Sequence, residues 1–319
     1  PDHWHEQMVL DAVAAGKAVY CEKGFTTSVD AAKRMRAAIK KNNTVFQLGH
    51  QGRQYPSTLA AGQLIRDGGI GPVTLVHTGR YFNGTKERAP WRWYGWYSVY
   101  DRPDPVQVVK DLDWEAWLGP APRIDFNEAH FWHWRCYWAY GTGQAGDLLS
   151  HELDHVQSVL GWGIPDTCMC TGHNAFFRDG REVPDTWLAN YTFEKQHCSL
   201  SFEGCMNSAR EQPPEYIGKT GRLIFNGIGQ DANRFFVYPD APAFPHMGRE
   251  LKPSSVYDPA KEDAWPTHMD DFLRCVRTGE RPRCNEDEAF VEVVTLLMSV
   301  ISYHEKRQVR WDAAAETIV

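Results

Sequence analysis

Long hydrophobic runs are missing from this 319-residue sequence. No stretch approaches the roughly 18 consecutive apolar residues of a membrane span, so no membrane partner is expected. A basic excess is missing as well: Lys and Arg total 34 against 41 Asp and Glu, a net charge of −7. Nucleic-acid binders display a basic face, and no nucleic-acid partner is expected. Cysteine is present but unpatterned. The eight thiols, Cys21, Cys136, Cys168, Cys170, Cys198, Cys205, Cys275 and Cys284, contain no C-x-x-C pair. A zinc knuckle therefore lacks its second half. A chain of this length holds a core without disulfide staples, so all eight read as reduced and mostly buried. Cys168 and Cys170, two apart, would share one face of a strand. Repeats and low-complexity stretches are absent. The sequence opens at Pro1 without a visible signal peptide, which leaves the compartment open, with the cytoplasm as default.

Tryptophan is what the sequence has in excess, with 13 copies, eight of them from Trp91 to Trp138. Around that cluster the patterning divides the chain. Residues 4–15 predict a helix stopped by Gly16, 19–23 a short strand, and 28–39 a helix capped by Ser28. A strand at 45–48 and a helix at 56–67 follow. This alternation is the rhythm of a parallel sheet with crossover helices. After Gly71-Pro72 the rhythm changes. A strand at 73–82 leads into an irregular, aromatic stretch over 83–140, a length that usually marks function. One strong helix spans Asp147–Leu160. Strands are predicted at 167–177, 186–194, 198–206 and 221–226, with a tight hairpin turn at Arg178-Asp-Gly-Arg181. Helices at 266–277 and 286–304 close the chain. The reading is an α/β unit over 1–71 and an α+β unit with an open, mostly antiparallel sheet over 72–319. Two strands in the first unit fall short of the about six of a doubly wound sheet.

Two motifs point elsewhere. Gly141-Thr-Gly-Gln-Ala-Gly146 matches G-x-G-x-x-G and opens a helix. A dinucleotide fingerprint also needs a buried apolar strand before it, and residues 134–140 are a bulky aromatic run instead. A tight turn that lets the backbone approach a ligand is the plainer reading. His151-Glu-Leu-Asp-His155 matches H-E-x-x-H. The extended metalloprotease motif fails downstream, where Ser158 and Gly161 replace the required Gly and His. No metal is expected.

Asp147, His151 and Asp154 fall at i, i+4 and i+7 on the predicted helix and so share a face. A carboxylate one turn from an imidazole orients it and raises its basicity, which suits a general base acting on a hydroxyl. Lys23 ends a strand, where open α/β sheets bind ligands, and its charge suits an alkoxide.

These residues reach a known family. Pro1-Asp-His-Trp-His5 with Gly16-Lys-Ala-Val-Tyr-Cys-Glu-Lys23 resembles the P-x-x-x-H and G-K-x-V-x-x-E-K-P segments of the Gfo/Idh/MocA oxidoreductases. Asp113 to Pro122, Gly143 to Asp154, His268 to Arg277 and Trp311-Asp312 resemble later segments, in order along nearly the whole chain. The resemblance implies NAD or NADP as cofactor and a Lys–Asp–His group at the reacting hydroxyl, here Lys23, Asp147 and His151. It assigns His151 as base, Lys23 to the oxygen and the nicotinamide ribose, Asp147 to holding His151, and Asp154 to a substrate hydroxyl. His5, Glu22 and Gln51 would lie near the cofactor. Arg53, Trp134, Arg135 and His155 are candidates for contact with a sugar or cyclitol, since flat aromatic faces pack on sugar rings. For most other tryptophans a structural cluster is the reading. Homo-oligomerisation through the carboxyl-terminal sheet is implied.

Two departures stand out. Gly24 replaces the family's proline, so the rigidity that proline gives the turn at Lys23 is missing. The family's opening strand, phosphate-binding glycines and ribose-binding acid would precede Pro1. The chain is thus expected to be a fragment that binds NAD(P) poorly alone. Hydride transfer from a secondary hydroxyl is the leading activity. The alternatives are glycoside cleavage by transient oxidation and elimination, a zinc hydrolase, and a non-catalytic binding protein.

Overall fold

The computed structural model describes residues 1–86, 88–91, 110–227, 234–240, 252–258 and 266–319. Trp93 and Trp96 of the aromatic stretch lie outside them.

Helix α1 (His5–Ala14) buries Val9 and Val13 and leads into strand β1 (Val19–Glu22). Helix α2 (Val29–Lys41) starts where expected, because the Ser28 hydroxyl accepts the Ala31 N–H and satisfies one orphan donor of the first turn. Its buried Ala31, Ala32, Met35 and Ile39 recur at helical spacing. Strand β2 (Phe46–Gly49) pairs in parallel with β1, Val19 opposite Phe46 and Glu22 opposite Gly49. All four β2 residues are buried, as a strand covered on both faces requires. Helix α3 (Pro56–Arg66) follows, with proline in its first turn.

Strand β3 (Val73–Tyr81) begins a second sheet. Short helices α4 (Trp114–Leu118) and α5 (Glu128–Trp132) lie in the stretch read as irregular. Trp114 and Trp117 stack at 4.8 Å, and the Trp117 carbonyl accepts the Trp4 indole N–H at 2.8 Å. These tryptophans fasten the aromatic stretch to the amino terminus and serve packing, in line with the structural reading.

Helix α6 (Ser150–Leu160) is preceded by one π-helical turn, Ala145–Leu149. Strands β4 (Thr167–His173), β5 (Thr186–Phe193), β6 (Cys198–Cys205), β7 (Glu215–Gly218), β8 (Gly221–Phe225), β9 (Phe235–Pro239) and β10 (Ser255–Tyr257) come next. Helices α7 (His268–Thr278) and α8 (Glu286–Glu305), then β11 (Val309–Asp312) and β12 (Thr317–Ile318), complete the order. The sheet order is β10-β9-β8-β7-β3-β6-β5-β4-β11-β12, antiparallel except for β3 beside β6. Burial alternates along β5, with Trp187, Ala189 and Tyr191 inside and Leu188 outside. One face packs on the core and the other faces outward, as antiparallel sheets allow. Cys168 and Cys170 are buried on the inner face of β4, either side of exposed Met169. All eight cysteines are free.

The tight hairpin at 178–181 is not what forms. β4 ends at His173, paired with Thr186, and the intervening loop wraps a buried carboxylate. Asp185 accepts the N–H groups of Ala175, Phe176 and Phe177, each at 2.8 Å. A buried carboxylate with three donors outcompetes a continued ladder.

Helix α8 is apolar nearly all round, burying Phe290, Val293, Val294, Leu296, Leu297 and Met298. Such a helix belongs inside. It lies between α2 and β2 on one side and β4 on the other. The edge of β2 is finished from the same region, since Leu48 N–H donates to the Cys284 carbonyl at 2.9 Å. Topology changes near residue 71, but residues 268–305 serve both sides of that boundary. Leu296→Ala, at a site with 0% exposure, should cost about 2–5 kcal/mol in a urea titration. Probes of both sheets should lose structure in one transition. Separate midpoints would mean that α8 does not join them.

Candidate active site

Lys23 follows the last residue of β1, at the carboxyl end of the parallel pair. Its ammonium donates to Asp147 twice, to Oδ1 at 2.6 Å and to the backbone carbonyl at 2.9 Å. The Arg135 Nε donates to the same Oδ1 at 3.1 Å, and the Trp91 indole N–H donates to Oδ2 at 2.8 Å. Burial alone would raise the Asp147 pKa. The neighbouring Lys23 and Arg135 charges and their hydrogen bonds reverse that and hold it well below the usual carboxylate range. Asp147 is therefore an anion throughout the physiological range.

His151 is not held by Asp147, contrary to expectation. Among the described residues its ring makes no side-chain hydrogen bond. The physical reason is the π turn. The face-sharing rule assumes 3.6 residues per turn, and Asp147 lies in a segment wound with i→i+5 bonds, so four residues no longer complete a turn. The carboxylate swings to Lys23 and the imidazole stays free. Burial lowers the His151 pKa well below its ordinary value, and Lys23, His50 and Arg80 push in the same direction. A neutral, unpartnered imidazole can accept a proton.

The other candidates divide into two groups. Glu22 and Gln51 are exposed at the carboxyl ends of β1 and β2, and the Gln51 amide donates to the Tyr20 hydroxyl at 3.3 Å. His5 sits beside the turn after Lys23, its Nδ1 at 2.7 Å from the Gly24 carbonyl, and burial lowers its pKa to about 4. Together with Lys23 they form an open polar shelf. Carboxylate and amide on that shelf suit ribose hydroxyls, and this chemistry fits the nicotinamide half of a dinucleotide. Trp134 and Arg135 also belong to the site, the guanidinium lying 4.2 Å over the indole.

Arg53, Asp154 and His155 are occupied elsewhere. Arg53 Nε meets Asp154 Oδ1 at 2.5 Å and its NH1 meets Glu288 at 3.0 Å, and Arg53 and Asp154 are 7% and 3% exposed. Each spends its charge on the other. The His155 ring packs against Phe225 at 4.6 Å, within the sheet's aromatic layer. Glu152, between the two histidines, is buried against Arg80 at 2.6 Å and the Thr78 hydroxyl. Within H-E-x-x-H, Glu152 thus docks the helix onto β3 and His155 packs it on β8.

Three residues carry more than their sequence signal suggested. Trp91 holds Asp147 from a left-handed backbone (φ 64°), a costly conformation for a bulky residue. Its signal was only membership of the aromatic stretch. His50, just past β2, faces His151 with its ring. Asp2, within the P-x-x-x-H segment, is buried, and burial pushes its carboxyl up to about 7. A Cβ added at Gly24 or at Gly141 would press on Asp2 Oδ2 at 3.2 Å. That close approach accounts for Gly24 where proline was expected. The glycine-rich turn at 141–146 admits the Asp2 carboxyl rather than a phosphate, and a 3-10 turn at Trp134–Cys136, not a strand, stands upstream of it.

Residues 1–50 match the family model described as oxidoreductase family, NAD-binding Rossmann fold, and residues 84–171 match its C-terminal alpha/beta domain. An inositol 2-dehydrogenase of Gluconacetobacter diazotrophicus is 36% identical over 74 residues, 23% of this chain and 22% of that protein. A 2,7-anhydro-N-acetylneuraminate hydratase of Escherichia coli is 30% identical over 174 residues, 51% of this chain and 44% of that protein. The chain thus spans less than half the length of these curated relatives. A levoglucosan dehydrogenase solved with NADH and levoglucosan superposes with a TM-score of 0.67 at 17% identity, covering 97% of this chain and 78% of that one, and shares its fold. Models of one family thus match on both sides of the change in topology: residues 1–50 and 84–171 are segments of the Gfo/Idh/MocA oxidoreductase type, and the fold along nearly the whole length is the one its solved neighbours share.

Proposed function

We propose that this chain carries the reacting end of a nicotinamide-dependent oxidoreductase acting on a secondary hydroxyl of a sugar or cyclitol. The observation that carries the reading is one arrangement. A lysine fixed by a buried carboxylate stands beside a neutral imidazole with no partner, at the carboxyl end of a parallel strand pair. His151 accepts the hydroxyl proton as the C–H bond breaks. The Lys23 ammonium stabilises the developing oxygen charge. Asp147 acts through Lys23, holding its ammonium at a fixed point. NAD or NADP, when bound, supplies the hydride acceptor, and Lys23, His5, Glu22 and Gln51 are the residues that would hold its nicotinamide end. Arg135 holds the same carboxylate with Trp134 beneath its guanidinium, and the two offer a cation and a flat face to the substrate ring. The names of the inositol and levoglucosan dehydrogenases support the substrate class.

A second outcome has its own support in the hydratase relative. There the hydride would be returned after elimination. Nicotinamide absorbance separates the two. A dehydrogenase accumulates reduced cofactor in step with product, whereas an eliminating enzyme turns over with no net reduction.

The test is turnover of the full-length polypeptide on a panel of sugars and cyclitols. His151→Ala and Lys23→Met should each lower kcat by about 10²–10⁴-fold. Unchanged turnover in either variant removes the assignment. The acid limb of kcat/KM should fall below the ordinary histidine pKa of about 6.5, because His151 is held neutral and loses activity only once protonated. A limb above that value overturns the identification of His151 as the base.

The outer face of the ten-stranded sheet supports pairing between copies of the chain. Leu188 and Met169 stand on it at 46% and 38% exposure, from adjacent strands. Leu188→Glu should then split the assembly in light scattering. A monomeric parent protein would remove this part of the proposal.

A further inference from the structure

His151 is met edge-on by a second histidine. The ring centroids of His50 and His151 lie 5.4 Å apart, with planes at 89°. His50 stands just past β2, its N–H donating to the Leu48 carbonyl and its carbonyl accepting from Arg53 N–H. Across the gap from α8 comes Glu292, whose Oε2 lies 3.2 Å from His50 Nε2. The two side chains are 2% and 1% exposed. A carboxylate in such a place is costly unless a donor meets it, so the His50 proton belongs on Nε2, toward Glu292. The other oxygen, Glu292 Oε1, is buried with no hydrogen-bond partner. A carboxylate kept only for packing would have both oxygens satisfied.

We propose that Glu292 and His50 form a buried positioning pair for His151, in which the carboxylate fixes the His50 ring and the edge of that ring sets the plane and charge state of the His151 imidazole. The inference rests on the reading of His151 as the base. Around His50 stand Asp154 and His151 from α6, Glu292 from α8, His268 from α7 and Arg53 from its own turn. Around His151 stand Lys23, Arg80, Asp147 and His50. At His50 the carboxylates outweigh burial and raise the pKa, whereas at His151 burial and three cationic neighbours lower it. As pH falls, His50 takes a proton first, and its charge delays protonation of His151. The order keeps His151 a base at a pH where an isolated histidine would be half protonated.

The sign of the test follows. Glu292→Gln removes the anion that holds the His50 proton, so His50 titrates lower and no longer opposes a proton on His151. The His151 midpoint, and with it the acid limb of kcat/KM, should rise by about one pH unit. His50→Gln should move the limb in the same direction, and Glu292→Asp should restore part of the parent profile. Ring-nitrogen NMR on histidine-labelled parent protein tests the order without any variant. His50 should titrate above His151, and the reverse order overturns the pair. Unmoved midpoints and an unmoved limb in a folded Glu292→Gln protein overturn it as well. Failure of the base assignment looks different: His151→Ala would keep the parent pH profile, while the ring titrations would still report on the pair.

Discussion

A carboxylate removed from water must find donors, and Asp147 finds three. Lys23, Arg135 and Trp91 come from three separate parts of the chain and converge on its two oxygens. At an exposed position such a pair would contribute about 1 kcal/mol or less, whereas removing one partner of a buried pair costs about 3–5 kcal/mol. The pair's side chains are 17% and 11% exposed, which puts it near the buried limit. The aromatic stretch, the end of β1 and the entry to α6 are therefore tied to one point. The π turn and the left-handed Trp91 are the local distortions through which the backbone reaches it. Strain of this kind persists only where surrounding structure over-determines it.

The same constraint repeats along α6. Glu152 is met by Arg80 and Thr78 of β3, and Asp154 by Arg53 from the turn after β2. The His151 ring is left without a side-chain hydrogen bond among the described residues. The charges around it are paired, Lys23 with Asp147, Arg80 with Glu152 and His50 with Glu292, so the His151 imidazole stands in a fixed electrostatic setting. Fixed dipoles and charges of this sort need no reorganisation when a proton moves.

Much of the architecture was legible from pattern alone. The α2 boundaries follow from Ser28 and the spacing of Ala31, Ala32, Met35 and Ile39, and β5 from strict alternation through Trp187, Ala189 and Tyr191. Strands β7, β9, β10, β11 and β12 escaped notice because each is only two to five residues long, too short for an alternation to stand out. The loop of 174–185 escaped for another reason. Asp-Gly is a strong local turn signal, but the Asp185 carboxylate organises its neighbours from outside that window. His151 stands out by residue type and spacing, and Lys23 through the family resemblance. The burial of Arg53, Asp154 and His155 does not, since a charged side chain reads the same whether it meets a ligand or another side chain.

By itself the sequence determined the periodicities, the caps, the change of topology near residue 71 and the family resemblance, because each is carried by residues close together or by motifs in a fixed order. Tertiary structure alone decided who partners whom. The one-turn spacing of Asp147 and His151 promised a pair, and a single π turn broke it. His50 and Glu292 are 242 positions apart, and no local pattern joins them. Only packing α8 beside β2 brings that carboxylate to that imidazole. The charge state of a buried group is set by neighbours in space, which chain order does not encode.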